Sequence, residues 1–575
     1  MLKTTTLLTV ICLSLFPSRS SFAQWTVDGG AVCTLAGGQH HPVAVADGAG
    51  GALIAWEDSR NSPVSGIDVY AQHIDADGRS LWTAGGVPVC SHTGNQQYLA
   101  IVGDGAGGAV VAWGDRRSGS YAVYTQRMSG TGTPVWTNDG IRLCTASPEQ
   151  NFAVMVSDTK GGAIVSWLDT RTGDYDVYAQ RVDGNGVLMW GPAGIAVCAA
   201  AGFQHSPYIA ADGSGGAIMA WTDDRNGAPD IYAQRVNAAG STLWTLGGAP
   251  VCQAVLAQIG GSVASDGNGG AIIVWSDSRL GNAVSNRDIY AQRMSAAAAP
   301  MWAVDGVPVC TASDEQYYPL AVSDEAGGVL VAWHDQRLGN YDIFAQRVDA
   351  SGSPLWAPDG VALCTAPGTQ SFVSMAADGA GGAIVTWPDA RDATTANDVY
   401  AQRVDGSGAV RWQSDGAPLC TATREQSSPA VVSDGAGGTI VAWDDARSWN
   451  GITLPADAYV DIYAGHVRAD GWVTTGIAAH SPPARISLAG NAPNPFSSTT
   501  RFDLTIADPS RVLVDIYDVS GRRILHRESK TMPAGVVPLN FDGRDQAGRL
   551  LPSGVYFCRV DADGESIVRK MLLVR

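Results

Sequence analysis

Lysine is almost missing from this chain: four residues of 575 (Lys3, Lys160, Lys530, Lys570), so that Lys and Arg together number 37 against 55 Asp and Glu, a formal net charge of -18. Phosphate backbones are bound by clustered cations, which removes nucleic acid from the expected partners. Charged residues of both signs reach only 16%, too few for a charged disordered chain. Beyond the first two dozen residues no apolar run approaches the ~18–20 residues of a membrane-spanning helix. Cys-x-x-Cys and Cys/His clusters are missing, so the usual zinc patterns are not available. A sustained 3.6-residue apolar period is missing as well, which argues against a helical fold.

What is abundant is glycine, 69 residues, in a chain that is 45% apolar, a composition that reads as all-β with many tight turns. The first residues carry Lys3, an apolar stretch from Leu7 to Phe16, and Ser21-Phe22-Ala23, with small residues where a signal peptidase needs them. Residues 1–23 are therefore read as a signal peptide cut after Ala23. Cys12 does not make a lipoprotein site, since Ile11 before it is too large and the apolar run continues past it.

An internal repeat fills most of the chain. A Trp closing an apolar run recurs at 56, 113, 167, 221, 275, 333, 387 and 443, at spacings of 57, 54, 54, 54, 58, 54 and 56. Each copy carries a Cys, a Gln six residues later, a D-G-x-G-G-like turn, the run ending in Trp, then Asp-x-Arg, D-I-Y-A-Q-R and a second Trp. Short β-rich runs bounded by glycine turns place four strands per copy: in the sixth, Tyr318 to Ser323, Val329 to Trp333, Asp342 to Val348 and Val307 to Cys310. A four-stranded antiparallel sheet repeated every ~54 residues cannot bury both faces alone, and radial packing of such sheets is a β-propeller. Residues 24–473 are thus expected to form an eight-bladed β-propeller. Strand counting leaves the last copy one strand short, so Trp25 to Cys33 should pair with Asp461 to Val467; Trp472 to Ile477 competes but lacks the Val-x-Cys ending.

Periodicity stops after Trp472, and residues 474–490, with Pro482-Pro483, read as a linker. Residues 491–575 alternate as a small β-sandwich. They contain Asn491-Ala492-Pro493-Asn494-Pro495-Phe496, Ile516-Tyr517-Asp518-Val519-Ser520-Gly521-Arg522, Asp542-Gly543-Arg544-Asp545 with Gly548, and Ser553-Gly554-Val555-Tyr556. The order of these motifs resembles the type A sorting domain of the bacterial type IX secretion system and its relative, the immunoglobulin-like domain of flagellar hook-capping proteins. The resemblance implies a secretion machinery as partner, export across the outer membrane, and a mature protein that is secreted or held at the outer cell surface of a bacterium.

Chemistry is harder to find. The eight repeat cysteines occupy one equivalent position per blade, beyond the ~7 Å reach of a disulfide, and are expected as buried thiols. Asp169 with Arg171, Asp223 with Arg225 and Asp335 with Arg337 exemplify the Asp-x-Arg pair; recurrence in every blade is what a structural fastener shows, whereas a catalytic site breaks symmetry. Asp75-Ala76-Asp77-Gly78 and Asp183-Gly184-Asn185-Gly186 have the look of calcium loops but sit where hairpin turns are required, so no cofactor is expected and calcium is the one candidate. The D-G-x-G-G segments are faintly similar to the Asp-box hairpins of sialidase-like propellers, with a different spacing. Glu is rare, no catalytic carboxylate pair is named, and His205 and His334 are unrepeated and isolated.

Length variation is confined to the connection between Asp-x-Arg and D-[IV]-Y, which places insertions on one face of the ring. The longest, 448–460, holds Trp449, Leu454 and Tyr459, the expected binding face. The sequence thus reads as a monomeric binding module for an extracellular protein or glycan. The alternative is a propeller glycoside hydrolase or lyase acting on extracellular polysaccharide, which requires unrepeated carboxylates, Tyr or His converging at one mouth of the channel.

Overall fold

The computed structural model describes residues 25–474 apart from 63, 147–148, 282–285, 393–395 and 449–459, and residues 486–488 and 493–575 apart from 507–510, 520–521, 529–530, 533–534 and 563–564. The segment before Trp25 that reads as a signal peptide, most of the expected linker and the proposed binding loop with Trp449, Leu454 and Tyr459 lie outside the described residues. The chain divides into two compact units, Met1–Ile477 and Ala478–Arg575. Among the described residues no helix is long and apolar enough to cross a membrane.

The first unit consists of eight four-stranded antiparallel sheets. In blade six the strands, in spatial order A to D, are Gln316–Ser323, Val329–Asp335, Asp342–Val348 and Val361–Cys364. The Cys strand that opens each sequence copy therefore belongs to the preceding blade: Val307–Cys310 pairs with Asp288–Met294 of blade five, not with blade six. The physical reason is local, since the turn after strand C folds the chain straight back to cover C's open edge. Each A strand touches the A strands of both neighbouring blades, and the A strands of blades one and eight touch each other. The A strands thus form a closed inner ring, the D strands its outside. Blade eight is completed by Gly30–Cys33, which pairs with Asp461–Val467 in the register Gly30 to Ala464 and Cys33 to Ile462.

Strand B is buried along its whole length in every blade, as in Ala52–Asp58, because both its faces meet neighbouring blades. That accounts for continuous apolar runs where a half-exposed strand would alternate. The second Trp of each copy knits blade to blade: its indole N–H donates to a carbonyl in the C-to-D turn of the next blade at 2.9–3.3 Å in all eight interfaces. Trp25 makes this bond to Ala76 at 3.0 Å, so the first residues of the described chain do at the closure what the repeats do elsewhere. In the A-to-B hairpin, Asp47 Oδ1 accepts the N–H groups of Ala49 and Gly51 at 2.7 and 2.8 Å. A Cβ at Gly51 would lie 2.3 Å from the Ile74 carbonyl, which requires glycine there.

The second unit pairs a three-stranded sheet (Ile486–Leu488, Thr500–Ile506, Gly535–Phe541) with a four-stranded one (Arg523–Glu528, Val512–Asp518, Gly554–Ala562, Glu565–Leu573). Phe496, Phe502, Ile516, Tyr556 and Met571 share its core. The Asn-Pro-Phe motif has a mechanical basis: Asn494 Oδ1 accepts Leu572 N–H at 2.9 Å, Thr500 Oγ1 donates to the Pro493 carbonyl at 2.8 Å, and Phe496 packs edge-on to Phe541. The unit is an all-β, Ig-like domain.

Candidate functional site

The repeated polar motif assembles one network per blade, and each network reaches into the preceding blade. In all eight, the first Trp donates its indole N–H to Oδ2 of the Asp-x-Arg aspartate at 2.7–2.9 Å. The arginine two residues later grips both oxygens of that carboxylate, as in Arg171 to Asp169, Arg225 to Asp223 and Arg337 to Asp335. Its Nη2 also donates at 3.0–3.2 Å to the Sγ of the Cys at the end of the preceding blade's D strand, as Arg117 to Cys90, and its guanidinium lies over the aromatic ring of its own strand C, 3.7 Å from the centroid for Arg171 and Tyr178. All nine described cysteines are free and buried. Burial pushes thiols such as Cys90 and Cys310 up to about 12, so they carry no nucleophile near neutral pH. The two calcium-like loops spend their lead carboxylates on turn N–H groups, Asp75 on Asp77 and Arg79, and Asp183 on Asn185 and Val187.

Symmetry breaks at the inner edge of one face. There the D-to-A and B-to-C connections meet: the backbone N–H of each repeated Gln donates to the last residue of the previous blade's B-to-C loop, as Gln96 to Ile67 and Gln39 to Val460. Two residues after that Gln, strand A bulges against strand B, and register shifts in the pairing mark the place. In seven blades the bulge holds the residue at this position in the left-handed region: His41 (φ 52°), Tyr98 (61°), Phe152 (53°), Ser206 (50°), Tyr318 (49°), Phe372 (53°) and Ser428 (52°); blade five has Gly260 there, outside that region. Non-glycine residues adopt this conformation at a cost of roughly 1–3 kcal/mol each, which places strain in a ring around the mouth. Four of the seven are exposed aromatics, from Tyr98 at 45% to Phe372 at 71%.

The second variable position is the residue after the blade Trp, which reads Glu57, Gly114, Leu168, Thr222, Ser276, His334, Pro388 and Asp444 around the ring. It faces the bulge of the next blade. Asp444 accepts the His41 N–H at 2.9 Å, Glu57 the Tyr98 N–H at 2.8 Å and Thr222 the Gly260 N–H at 2.9 Å. Between blades two and four, Tyr98, Phe152, Leu168, His205 and Tyr208 line an open depression of about 570 Å³. Between blades six and seven, His334 is not isolated: the rings of Tyr318, Tyr341 and Phe372 stand 5.8–6.1 Å from it, and burial pushes its imidazole down to about 4, so it is a neutral part of an aromatic wall. His205 lies 3.3 Å from Asp224 at the rim of the depression.

At the closure of the ring, blades eight and one bring together three unrepeated titratable groups. His41 Nδ1 lies 3.3 Å from Glu57 Oε2, the imidazole exposed (side chain 65%) and the carboxylate buried (5%). The hydrogen bond to Glu57 raises the His41 pKa above the usual imidazole value, with the Asp444 charge adding to it. Burial pushes the Asp444 carboxyl up to about 7, against the lowering effect of His41 and of a hydrogen bond with Ser428. None of these three was singled out by sequence reasoning. The signal was available: aligning the copies on Gln and on Trp leaves two columns whose residue type changes from blade to blade inside otherwise constant strands.

Residues 490–566 match the FlgD Ig-like domain family. No curated protein sequence matches the chain. Among solved structures, a PL25 ulvan lyase bound to -[GlcA(1-4)Rha3S]- is similar at a TM-score of 0.39 and 10% identity, over 66% of this chain and 97% of that one. A puromycin-hydrolysing peptidase of Mycobacterium tuberculosis gives 0.40 and 12%, over 74% and 61%, and the Hadza microbial sialidase Hz136 gives 0.33 and 12%, over 60% and 73%. At these identities the likeness is one of architecture.

Proposed function

We propose that the chain is an exported β-propeller that binds an extracellular glycan across the mouth formed by the D-to-A and B-to-C connections. The observation that carries this reading is the ring of exposed Tyr98, Phe152, Tyr318 and Phe372, held by a strained bulge repeated in blade after blade. Flat aromatic faces at such a mouth stack on sugar rings while polar neighbours take hydroxyl groups. The connection whose sequence holds Trp449, Leu454 and Tyr459 ends at Val460, whose carbonyl accepts the Gln39 N–H at this face, and its residues belong to the same proposal. The C-terminal Ig-like domain acts as the address for a type IX secretion machinery. A chain truncated before Ser481 should keep a folded ring but stay in the periplasm; delivery of that chain to the surface would refute the sorting role.

Binding is tested by presenting the full chain to a glycan array and titrating the glycans retained. Tyr98→Ala, Tyr318→Ala and Phe372→Ala should each weaken binding by about tenfold. Loss of affinity on substitution of Lys160, in an A-to-B turn on the opposite face, with the three aromatic variants unaffected, would put the ligand on the other side. A second reading, a polysaccharide-cleaving enzyme, is favoured by His41, Glu57 and Asp444 converging at the same mouth.

A further inference from the structure

We propose that the closure of the ring is a glycoside-hydrolysing centre in which His41 transfers the proton and Glu57 positions it. The inference rests on the glycan-binding reading, because it needs a sugar chain lying across the rim. Only blades eight and one place carboxylates after the blade Trp, and His41 sits between them. Its backbone is anchored by Asp444 at 2.9 Å and its ring by Glu57 at 3.3 Å, while Glu57 itself is fixed by the Tyr98 N–H at 2.8 Å. With Nδ1 engaged, the exposed ring offers Nε2 to a ligand in the mouth. A base or acid oriented by a buried carboxylate is the arrangement proton transfer requires.

The charge around His41 decides which reaction it serves. Acyl transfer builds an oxyanion, and elimination from a uronic acid builds an enolate; both need donors or cations aimed at the growing negative charge. The groups that meet His41 are the carboxyls of Glu57 and Asp444, with the His40 ring 6.0 Å away, and none of them is a donor or cation aimed at a growing negative charge. The Glu57 carboxylate beside the imidazole favours instead the positive, oxocarbenium-like transition state of glycoside cleavage. Neither carboxylate can act as nucleophile, since both are buried and spent on backbone N–H groups. The imidazolium therefore gives its proton to the glycosidic oxygen as the C1–O bond breaks and the bonding pair leaves with that oxygen. Water then adds its oxygen to C1 and returns a proton to the imidazole. One water is consumed, two chain ends form and His41 is restored.

The experiment incubates the full chain with a panel of neutral and acidic polysaccharides, measuring binding, new reducing ends and unsaturated ends in parallel. His41→Ala should lower turnover by about 100-fold while glycan affinity stays within about threefold. His41→Gln serves if the alanine variant does not fold, judged by its melting curve. Glu57→Gln should move the alkaline limb of the pH profile to lower pH, because the imidazolium loses its carboxylate; a uniform fall at all pH values would make Glu57 merely structural and overturn its role. Glycans that bind without new reducing ends overturn the cleavage and leave the binding reading standing. Unsaturated ends overturn hydrolysis in favour of elimination, and failure of every glycan to bind overturns both readings.

Discussion

Asp342 shows how much a single buried oxygen constrains this fold. It opens strand C of blade six, its Oδ2 has no hydrogen-bond partner among the described residues, and the Oε1 of Gln370 in the next blade has none either. Burial, with the Asp335 and Asp415 charges, pushes the carboxyl up to about 6. The folded state therefore keeps a proton that the unfolded chain releases near pH 4, and stability falls as pH rises from about 4 through about 6. Asp342→Asn should raise the melting temperature at pH 8 by roughly 2–4 °C and leave it nearly unchanged at pH 4, read by scanning calorimetry at both pH values. Asp169 is the opposite case, since Trp167, Arg171 and the Arg171 backbone all depend on it. Asp169→Ala strands a largely buried guanidinium and should cost about 3 kcal/mol in urea unfolding. Motifs such as Asp-x-Arg were legible in the sequence because all eight copies repeat them. The residues at His41, Glu57 and Asp444 were not, because they are the variable members of two columns, one on the strand-A bulge and one after the Trp of strand B, and only the fold shows that these columns meet across blades.

At the scale of the strand, the outermost edge of blade eight is supplied by Gly30–Cys33. Deleting residues 24–34 uncovers strand C of that blade and removes the Trp25 indole bond, so the melting temperature should drop by several degrees or folding should fail; an unchanged curve would contradict the pairing. Strand counting made this closure legible, since eight A-B-C sets demand an eighth Cys strand. It gave the Cys strand of the sixth copy to the blade that copy opens, whereas Val307–Cys310 pairs with blade five, in the same backward sense as Gly30–Cys33 with blade eight. The opposite face carries a second departure from symmetry at the same place. Six blades tie strand C to the A-to-B turn with an arginine, as Arg127 to Asp104, whereas blades one and eight use His73 to Asp47 and His466 to Asp434. Arg127 also reaches the Gly184 carbonyl of the next blade. His466→Arg should restore that extra bond at the closure and add about 1 kcal/mol at pH 8, measured by urea unfolding.

At the scale of the whole molecule, the repeat length and the four-strand unit were enough to read the ring, because blade packing is encoded in constant columns, and the order of the C-terminal motifs was enough to read the Ig-like domain. The mouth was harder to read, because its character comes from two short columns brought together across blades and not from any contiguous motif. The closure also has a mechanical side. Arg447 holds the Asp28 carbonyl across 419 residues of chain, so both limbs of the ring meet inside one blade. Cys33, after which the chain runs on into blade one, lies beside Ile462, one residue inside the start of Asp461–Val467, which strand B of blade eight precedes. A tension applied between the two limbs therefore acts at one end of the pair and peels its hydrogen bonds in sequence, bond by bond, instead of shearing them together. Blade eight is the clasp of the ring, the one blade whose strands come from both ends of the repeat array and therefore the place where a pull between them opens it first.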